Sequence, residues 1–259
     1  MGRHTKIEWA SSSWNPWMGC QKVSEGCKNC YMFRDQKRYG HDPAVLRRSK
    51  TTFYDPLKWK EPRRIFVCSW SDFFWEEVPD QWRMEAFTIM HSAPQHTFLL
   101  LTKRPQNMET MLPEGWTEGM WHQVPNVWLG VSVENQAREE RIPILLQTPA
   151  TVHFVSAEPL LGPLDLRDWL PDPGLRRRTN AQFKAAAALD WVITGGESDP
   201  SNPRLMDLDW ARNIRDQCQR AGVAYFHKQH GGRFKMGGAW GGRELDGRTW
   251  DEFPQGTSR

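Results

Sequence analysis

The sequence has no apolar run close to the roughly 18 residues that a membrane-spanning helix needs, and no signal-peptide pattern. It also has few cysteines, five in 259 residues, and an odd number pairs poorly into disulfides. We therefore expect a soluble, cytoplasmic protein with reduced thiols and no membrane partner.

Three of the five cysteines, Cys20, Cys27 and Cys30, lie in one short stretch with the spacing C-x6-C-x2-C. Structural zinc sites have four ligands, usually in two separated pairs, and neither His4 nor His41 stands at a usual ligand spacing. Three thiolates suit an iron–sulfur cluster in which one iron stays open for a substrate or cofactor. The ligand count favours iron–sulfur, and zinc remains the alternative.

After residue 64, apolar runs of strand length alternate with helix-like segments. The runs are nearly continuous, as in parallel strands that are covered on both faces. The predicted strands are residues 65–69, 97–101, 127–133, 151–156, 190–194 and 223–227, preceded by a first strand at 5–9. This order predicts an α/β fold, namely a full or partial (β/α) barrel of about six to seven parallel strands.

We expect residues 1–259 to form a single barrel domain. Two segments interrupt its rhythm. One is an insertion at about 162–188, and the other is a Gly-rich extension at about 231–259 with a hairpin turn at Asp246-Gly247.

Polar side chains follow each predicted strand from the second to the seventh. Ligand sites of parallel barrels form at the carboxyl ends of the strands, so these residues predict one shared site. They are Ser69, Ser71, Asp72, Lys103, Ser132, Glu134, Glu158, Glu197 and Lys228. Gly195 and Gly196 join this set because paired glycines let backbone N–H groups approach a ligand closely. Their carboxylates have two interpretations: internal ion pairs, or a divalent-metal site of a nuclease or hydrolase.

Charge is distributed unevenly along the chain. Residues 1–64 carry 14 Lys and Arg against 6 Asp and Glu, a balance of +8, whereas the remaining residues carry 20 against 25, a balance of −5. A basic region beside the cysteines predicts nucleic-acid contacts at Arg47, Arg48, Arg63 and Arg64. The 15 tryptophans are explained by core packing or by base stacking, and Trp14, Trp17, Trp59 and Trp70 are the stacking candidates.

Several motifs together resemble the radical S-adenosylmethionine (radical SAM) superfamily, and more closely a phage-associated family of uncharacterised proteins with the same C-x6-C-x2-C loop. The resemblance rests on the cysteine loop with Tyr31 and on residues 7–9, 14–16, 71–72, 102–105, 128–134, 158–163, 195–198 and 246–250.

The resemblance implies that Cys20, Cys27 and Cys30 hold a 4Fe–4S cluster whose open iron binds S-adenosylmethionine (AdoMet). Reduction by a flavodoxin- or ferredoxin-like partner then generates a 5′-deoxyadenosyl radical, with a nucleobase in phage DNA as the expected substrate.

In the superfamily a Gly-Gly-Glu motif ends the second strand; here the motif ends the sixth. The AdoMet-binding role therefore passes to Ser69, Ser71 and Asp72, with Lys103, Ser132 and Glu134. Glu158, Gly195, Gly196, Glu197 and Lys228 are left to the substrate. A zinc-stabilised nucleic-acid-binding protein and a carboxylate-dependent nuclease are the alternatives.

Overall fold

The computed structural model of the chain describes residues 4–116, 124–171 and 187–254. Seven strands follow one another in one sheet in the order β1-β4-β5-β6-β7-β8-β9, which is the parallel sheet of a partial (β/α) barrel, as predicted. The strands are β1 (Ser12–Trp14), β2 (Trp17–Met18), β3 (Arg47–Arg48), β4 (Arg64–Val67), β5 (Thr97–Thr102), β6 (Val127–Ser132), β7 (His153–Ala157), β8 (Trp191–Gly195), β9 (Ala224–Gln229), β10 (Lys235–Met236) and β11 (Ala239–Trp240). β2 pairs with β3, and β10 pairs with β11, in two short antiparallel ribbons.

Helices connect most of these parallel strands. They are α1 (Tyr31–Arg38), α2 (Asp80–His91), α3 (Met108–Met111), α4 (Arg141–Gln147) and α5 (Leu208–Ala221). In α5 the Asp207 side chain caps the first turn by accepting from the Asp209 N–H, and Gly222 ends the helix with a left-handed φ of 67°. Both ends agree with the sequence signals for helix start and stop.

The described residues fall into two compact units. The first runs to Val131 and takes in Thr148–Thr151. Its parallel strands are held in register by pairs such as Ile65 with Phe98, and they carry a core of large aromatic side chains. Within that core the centroids of the Trp9 and Phe66 rings are 4.6 Å apart. Burying several aromatic rings in this way supplies much of the apolar surface that stabilises the unit.

The second unit contains Ser132–Gln147 and the residues from Val152 on. Here β7, β8 and β9 are parallel neighbours, and the register shifts between Thr194 and Gly195, so that Gly195 stands opposite Gln229. Such an extra residue bends a strand and re-aims the side chains near it. The shift lies at the carboxyl ends of β8 and β9, where the polar residues gather.

The first strand was predicted in the wrong place. Residues 5–9 are not a strand, and β1 instead begins at Ser12 and pairs in parallel with β4. The Ser-Ser-Trp sequence of β1 has little strand signal of its own, and it is extended because its backbone bonds to β4. The other six predicted strands are confirmed, with ends that differ by one or two residues.

The two predicted interruptions lie partly outside the described residues. Of the insertion, residues 172–186 lie outside them, and of the extension, residues 255–259 do. The predicted turn at Asp246-Gly247 is confirmed, with φ of 56° and 78° and a Leu245–Arg248 bridge across it. No helix in the described ranges is both long and apolar enough to cross a bilayer.

Candidate functional site

The cysteine loop is attached to the carboxyl ends of β4 and β5 through one buried guanidinium. Arg104 follows β5 and is 2% exposed. Its Nη2 donates to the Gln21 carbonyl at 3.0 Å, and its Nη1 lies 3.8 Å from the Cys20 sulfur. The same guanidinium lies 3.4 Å from Asp72 Oδ2 and 3.2 Å from Glu76 Oε2. Arg104 therefore joins the loop that carries the thiols to two strand ends.

Asp72 gathers the donors of this strand end. Its carboxylate accepts from the Thr102 hydroxyl at 2.6 Å, the Lys103 N–H at 3.1 Å and the Phe74 N–H at 3.0 Å, in addition to Arg104. A carboxylate that accepts this many hydrogen bonds is fixed in place. Its position makes it a positioning residue for the loop, a role that the sequence analysis did not assign to it.

A second set of bonds ties the loop to the turn after β4. The Asn15 amide donates to Ser69 Oγ at 2.9 Å and accepts from the Trp70 N–H at 2.7 Å. The Tyr31 hydroxyl donates to the Ser69 carbonyl at 2.9 Å, and the Ser71 hydroxyl donates to the Gly19 carbonyl at 2.6 Å. Ser69 and Ser71 thus lie beside the loop, as predicted residues of one site should, and both hydroxyls retain acceptor lone pairs.

The thiols of the loop influence one another. Burial raises the pKa of Cys20 to about 12, and the charge of Asp72 acts in the same direction, as does Cys30, while Arg104 opposes them. Burial also raises the pKa of Cys30, which Lys103 lowers and Cys27 raises. All three cysteines are free. The loop therefore presents three reduced sulfurs close enough to interact electrostatically, with cationic side chains beside them.

These donors match an iron–sulfur cluster in type and number, because thiolates are the ligands that such clusters take. Within the described ranges, no group of three or more His, Cys, Asp or Glu side chains is arranged to hold a metal ion. The three thiols are therefore not arranged around a common centre in this structure. The described chain does not supply the four converging ligands of a structural zinc site either.

In the second unit, Glu158 and Lys228 form an ion pair, with Nζ 3.0 Å from Oε1. Ser156 Oγ donates to Oε2 of the same carboxylate at 3.0 Å. A Cβ added to Gly195 would lie 2.5 Å from Glu158 Oε1, so the glycine leaves the space that the carboxylate occupies. The structure thus brings Gly195, Glu158 and Lys228 together.

Gly196 has a different packing role. A Cβ there would lie 1.9 Å from the His230 carbonyl oxygen. The Gly196 N–H donates to the Gln229 carbonyl at 2.9 Å, and the Gln229 amide donates back to the Gly196 carbonyl at 3.0 Å. The second glycine of the motif therefore holds the backbone of residues 229–231 against the end of β8.

We expect Gly196→Ala to lower the free energy of unfolding by about 3 kcal/mol, because a backbone carbonyl is in the way and cannot rotate aside. Gly162→Ala is the matched control, since its nearest contact would be the Asn135 Cβ at 3.2 Å. The control should lose less than about 1 kcal/mol. Urea unfolding followed by circular dichroism measures both, and equal losses would contradict the packing role.

Every carboxylate in the predicted divalent-metal set has a cationic partner. Asp72 has Arg104 at 3.4 Å, and the buried Glu134 has Arg141 at 2.9 Å, whose Nη1 also donates to the Ser132 carbonyl at 2.7 Å. Glu197 accepts two side-chain bonds and one backbone bond from Arg204. With Glu158–Lys228, these pairs agree with the ion-pair interpretation of the carboxylates. Asp72 belongs to the first unit and the other three to the second.

A chain of hydrogen bonds lies between the sheet of the second unit and α5. His227 Nδ1 is 2.9 Å from Thr194 Oγ1, which is 2.7 Å from the Tyr225 hydroxyl, which donates to the Ala211 carbonyl at 3.1 Å. His227 is fully buried, and its Nε2 has no hydrogen-bond partner among the described residues. Burial, with His230 and Arg243 nearby, lowers the pKa of His227 to about 3, so the ring is neutral.

The four arginines predicted to contact nucleic acid are half-buried, and three of them donate to other side chains. Arg47 donates to Gln36, Arg48 pairs with Glu85 at 2.6 Å, and Arg63 donates to Ser12 Oγ at 3.0 Å. Burial lowers the pKa of Arg64. In this arrangement their charge contributes to the surface potential, while Arg47, Arg48 and Arg63 each donate one side-chain hydrogen bond within the unit.

The prediction of base stacking is wrong for three of the four tryptophans. Trp14, Trp17 and Trp59 are 1%, 0% and 9% exposed, so their rings are core and not available to a base. The fourth, Trp70, is half-exposed, and its ring centroid is 6.1 Å from that of Tyr39, which is 62% exposed. The Tyr39–Trp70 pair is therefore one accessible aromatic surface beside the cysteine loop.

Sequence reasoning missed the residues that act through the backbone of the loop. Asn15 and Tyr31 belong to the motifs that carry the resemblance, but the sequence analysis assigned them no role. Away from the loop, it also did not identify Arg141 and Arg204 as the partners of Glu134 and Glu197. Position offers the one usable signal, since Tyr31 directly follows the last cysteine.

Comparisons with known proteins place this chain in a family. Among solved structures, spore photoproduct lyase complexed with a dinucleoside spore photoproduct is 11% identical and covers 80% of this chain and 60% of that chain, with a TM-score of 0.42. A double mutant of spore photoproduct lyase with bound AdoMet and the same dinucleoside is 10% identical and covers 82% and 62%, also with a TM-score of 0.42. The chain thus spans about 60% of the length of these structures. No curated protein matches the chain. One family model, described as protein of unknown function (DUF5131), matches residues 4–254, and the chain therefore belongs to the DUF5131 family.

Proposed function

We propose that this chain is a radical SAM enzyme in which Cys20, Cys27 and Cys30 hold a 4Fe–4S cluster. The observation that carries the proposal is the attachment of a three-thiol loop to the strand ends of the first unit by the buried Arg104. Three thiolates bind such a cluster and leave one iron without a protein ligand. The bound cluster would supply the electron that cleaves AdoMet to a 5′-deoxyadenosyl radical.

The chain's own residues provide binding and positioning. Ser69 and Ser71 lie beside the loop, and their hydroxyl lone pairs suit the ammonium group of AdoMet. Lys103, whose charge acts on Cys30, suits the carboxylate of AdoMet. Asp72 orients Arg104 and the loop rather than AdoMet itself. Ser132 and Glu134 belong to the second unit, so their contact with the ribose stays a prediction.

We further propose a nucleobase in DNA as the substrate, with the Tyr39–Trp70 pair as its stacking surface. The support is the +8 balance of residues 1–64, together with the exposed Lys37 and Arg38 at the end of α1, which begins directly after Cys30. Exposed cations make phosphate contacts at lower cost than buried ones, because they lose no internal partner. Glu158 and Lys228 are proposed to contact substrate groups.

Reductive cleavage of AdoMet tests the chemistry. Protein purified without oxygen should be brown and contain about four irons per chain. With dithionite in place of the flavodoxin- or ferredoxin-like partner, it should convert AdoMet to 5′-deoxyadenosine, measured by chromatography. A colourless protein with one equivalent of zinc would contradict the cluster. An intact, reduced cluster that leaves AdoMet unchanged would contradict the radical chemistry.

A further inference from the structure

The hairpin of β10 and β11 carries two prominently exposed apolar side chains. Phe234 is 79% exposed and Met236 is 65% exposed. Gly237 and Gly238 form the turn with left-handed φ of 57° and 92°, and nothing lies within 4 Å of where their Cβ atoms would be. Neighbouring exposed apolar groups at the tip of a projection are typical of contact surfaces rather than of a solvated loop.

The same segment carries charge of one sign. Residues 229–243 contain Arg233, Lys235 and Arg243 and no Asp or Glu. Arg243 pairs with Asp251 outside the segment. Within the described part of the chain, neither Arg233 nor Lys235 belongs to an ion pair, and both are exposed. Phe234 therefore stands between two exposed cations, of which Lys235 has its Nζ 5.5 Å from the centroid of the Trp240 ring.

The hairpin is fixed at its base. The Gly231 N–H donates to the Trp240 carbonyl at 2.8 Å, and the Gly241 N–H donates to the Phe234 carbonyl at 2.9 Å. The Gly232 N–H donates to the Glu197 carbonyl at 2.8 Å, which links the hairpin to the Gly-Gly-Glu segment. A tip held in this way loses little conformational entropy on binding.

We propose that this hairpin is a wedge for double-stranded DNA, in which Phe234 enters a base step while Arg233 and Lys235 contact the phosphates on either side. An exposed ring alone would suit a protein or a lipid surface. The flanking cations without any carboxylate select a polyanion. Apolar side chains that insert between base pairs, next to Arg and Lys, are a known way of kinking a duplex. A two-stranded ribbon also fits a DNA groove.

This inference rests on the proposed function only in its substrate class, because it uses neither the cysteines nor AdoMet. Its test is therefore binding of the purified protein to a duplex with 2-aminopurine at central steps, without reductant or AdoMet. The wild-type protein should raise the fluorescence of the unstacked base. Phe234→Ala should abolish that rise and weaken binding about tenfold, the loss expected for one aromatic–base contact.

Two matched controls separate the wedge from general surface effects. Leu205 is as exposed as Phe234, at 79%, and lies outside the hairpin, so Leu205→Ala should bind and raise fluorescence like the wild type. Arg233→Glu should weaken duplex binding and make its affinity less dependent on salt. Arg220→Glu, which makes the same charge change at an exposed position of α5, should have a smaller effect on both.

Three outcomes would overturn the wedge. These are no duplex binding by the wild type, an unchanged fluorescence rise in Phe234→Ala, or tighter Phe234-dependent binding to vesicles of anionic lipid than to the duplex. None of these outcomes bears on AdoMet cleavage, which is measured without DNA. Conversely, failure of cleavage would leave the duplex result standing.

Discussion

We expect Cys20→Ala, Cys27→Ala and Cys30→Ala proteins to be colourless after anaerobic purification, whereas the wild type is brown with about four irons per chain. Each variant removes one of only three thiolates in the loop, and a cluster that already has one iron without a protein ligand cannot lose another and remain bound. AdoMet cleavage should fall below detection in all three. Iron analysis and the visible absorption spectrum measure the effect.

Cys218→Ala is the matched control. Cys218 is a buried thiol on α5 in the second unit, and burial raises its pKa well above the usual range. Its replacement should leave colour and iron content unchanged. Cys68, buried at the end of β4 with a φ of 61°, should also be dispensable for colour. If Cys68→Ala lost iron as the loop variants do, the ligand set proposed here would be wrong.

Arg104→Met should lower the free energy of unfolding by about 3 kcal/mol, because it leaves the buried Asp72 carboxylate without its guanidinium. The cysteine loop also loses the donor to Gln21, so the variant should release iron faster than the wild type. Urea unfolding gives the first effect, and the rate of iron transfer to a chelator gives the second.

Two further variants show whether the buried pair is the cause. Asp72→Asn in the Arg104→Met background should recover part of the stability, since no uncompensated charge remains. Arg167→Met removes the guanidinium of an exposed ion pair, in which the Arg167 side chain is 74% exposed and the Asp165 side chain 45% exposed. It should lower the free energy of unfolding by less than about 0.5 kcal/mol. A loss for Arg104→Met as small as that of Arg167→Met would contradict the anchoring role.

The strands that the sequence predicted well are those with a signal of their own. Residues 98–101 and 127–131 are nearly continuous apolar runs, which are typical of buried parallel strands. β1 was displaced because Ser12 and Ser13 carry no such signal; only the partner strand makes them extended. Its location depends on a contact more than fifty residues away, which local patterns do not encode.

The candidate site was predictable in its location but not in its pairings. Strand order places Glu158 and Lys228 at the carboxyl ends of β7 and β9, as expected. Which cation meets which carboxylate depends on register, and the shift between Thr194 and Gly195 is not visible in the sequence. The sequence shows that residues 195 and 196 are glycines. It does not show that the Glu158 side chain occupies the space beside Gly195, or that the His230 carbonyl occupies the space beside Gly196.

The hydrogen-bond chain that starts at His227 has only one possible direction. The Ala211 carbonyl can only accept, so the Tyr225 proton goes to it, the Thr194 proton goes to Tyr225, and the ring must supply the proton on Nδ1. His227 is therefore held in a single tautomer for as long as α5 stays docked on its sheet. Its Nδ1 proton resonance then serves as a spectroscopic reporter of helix docking in the second unit, readable without any added label.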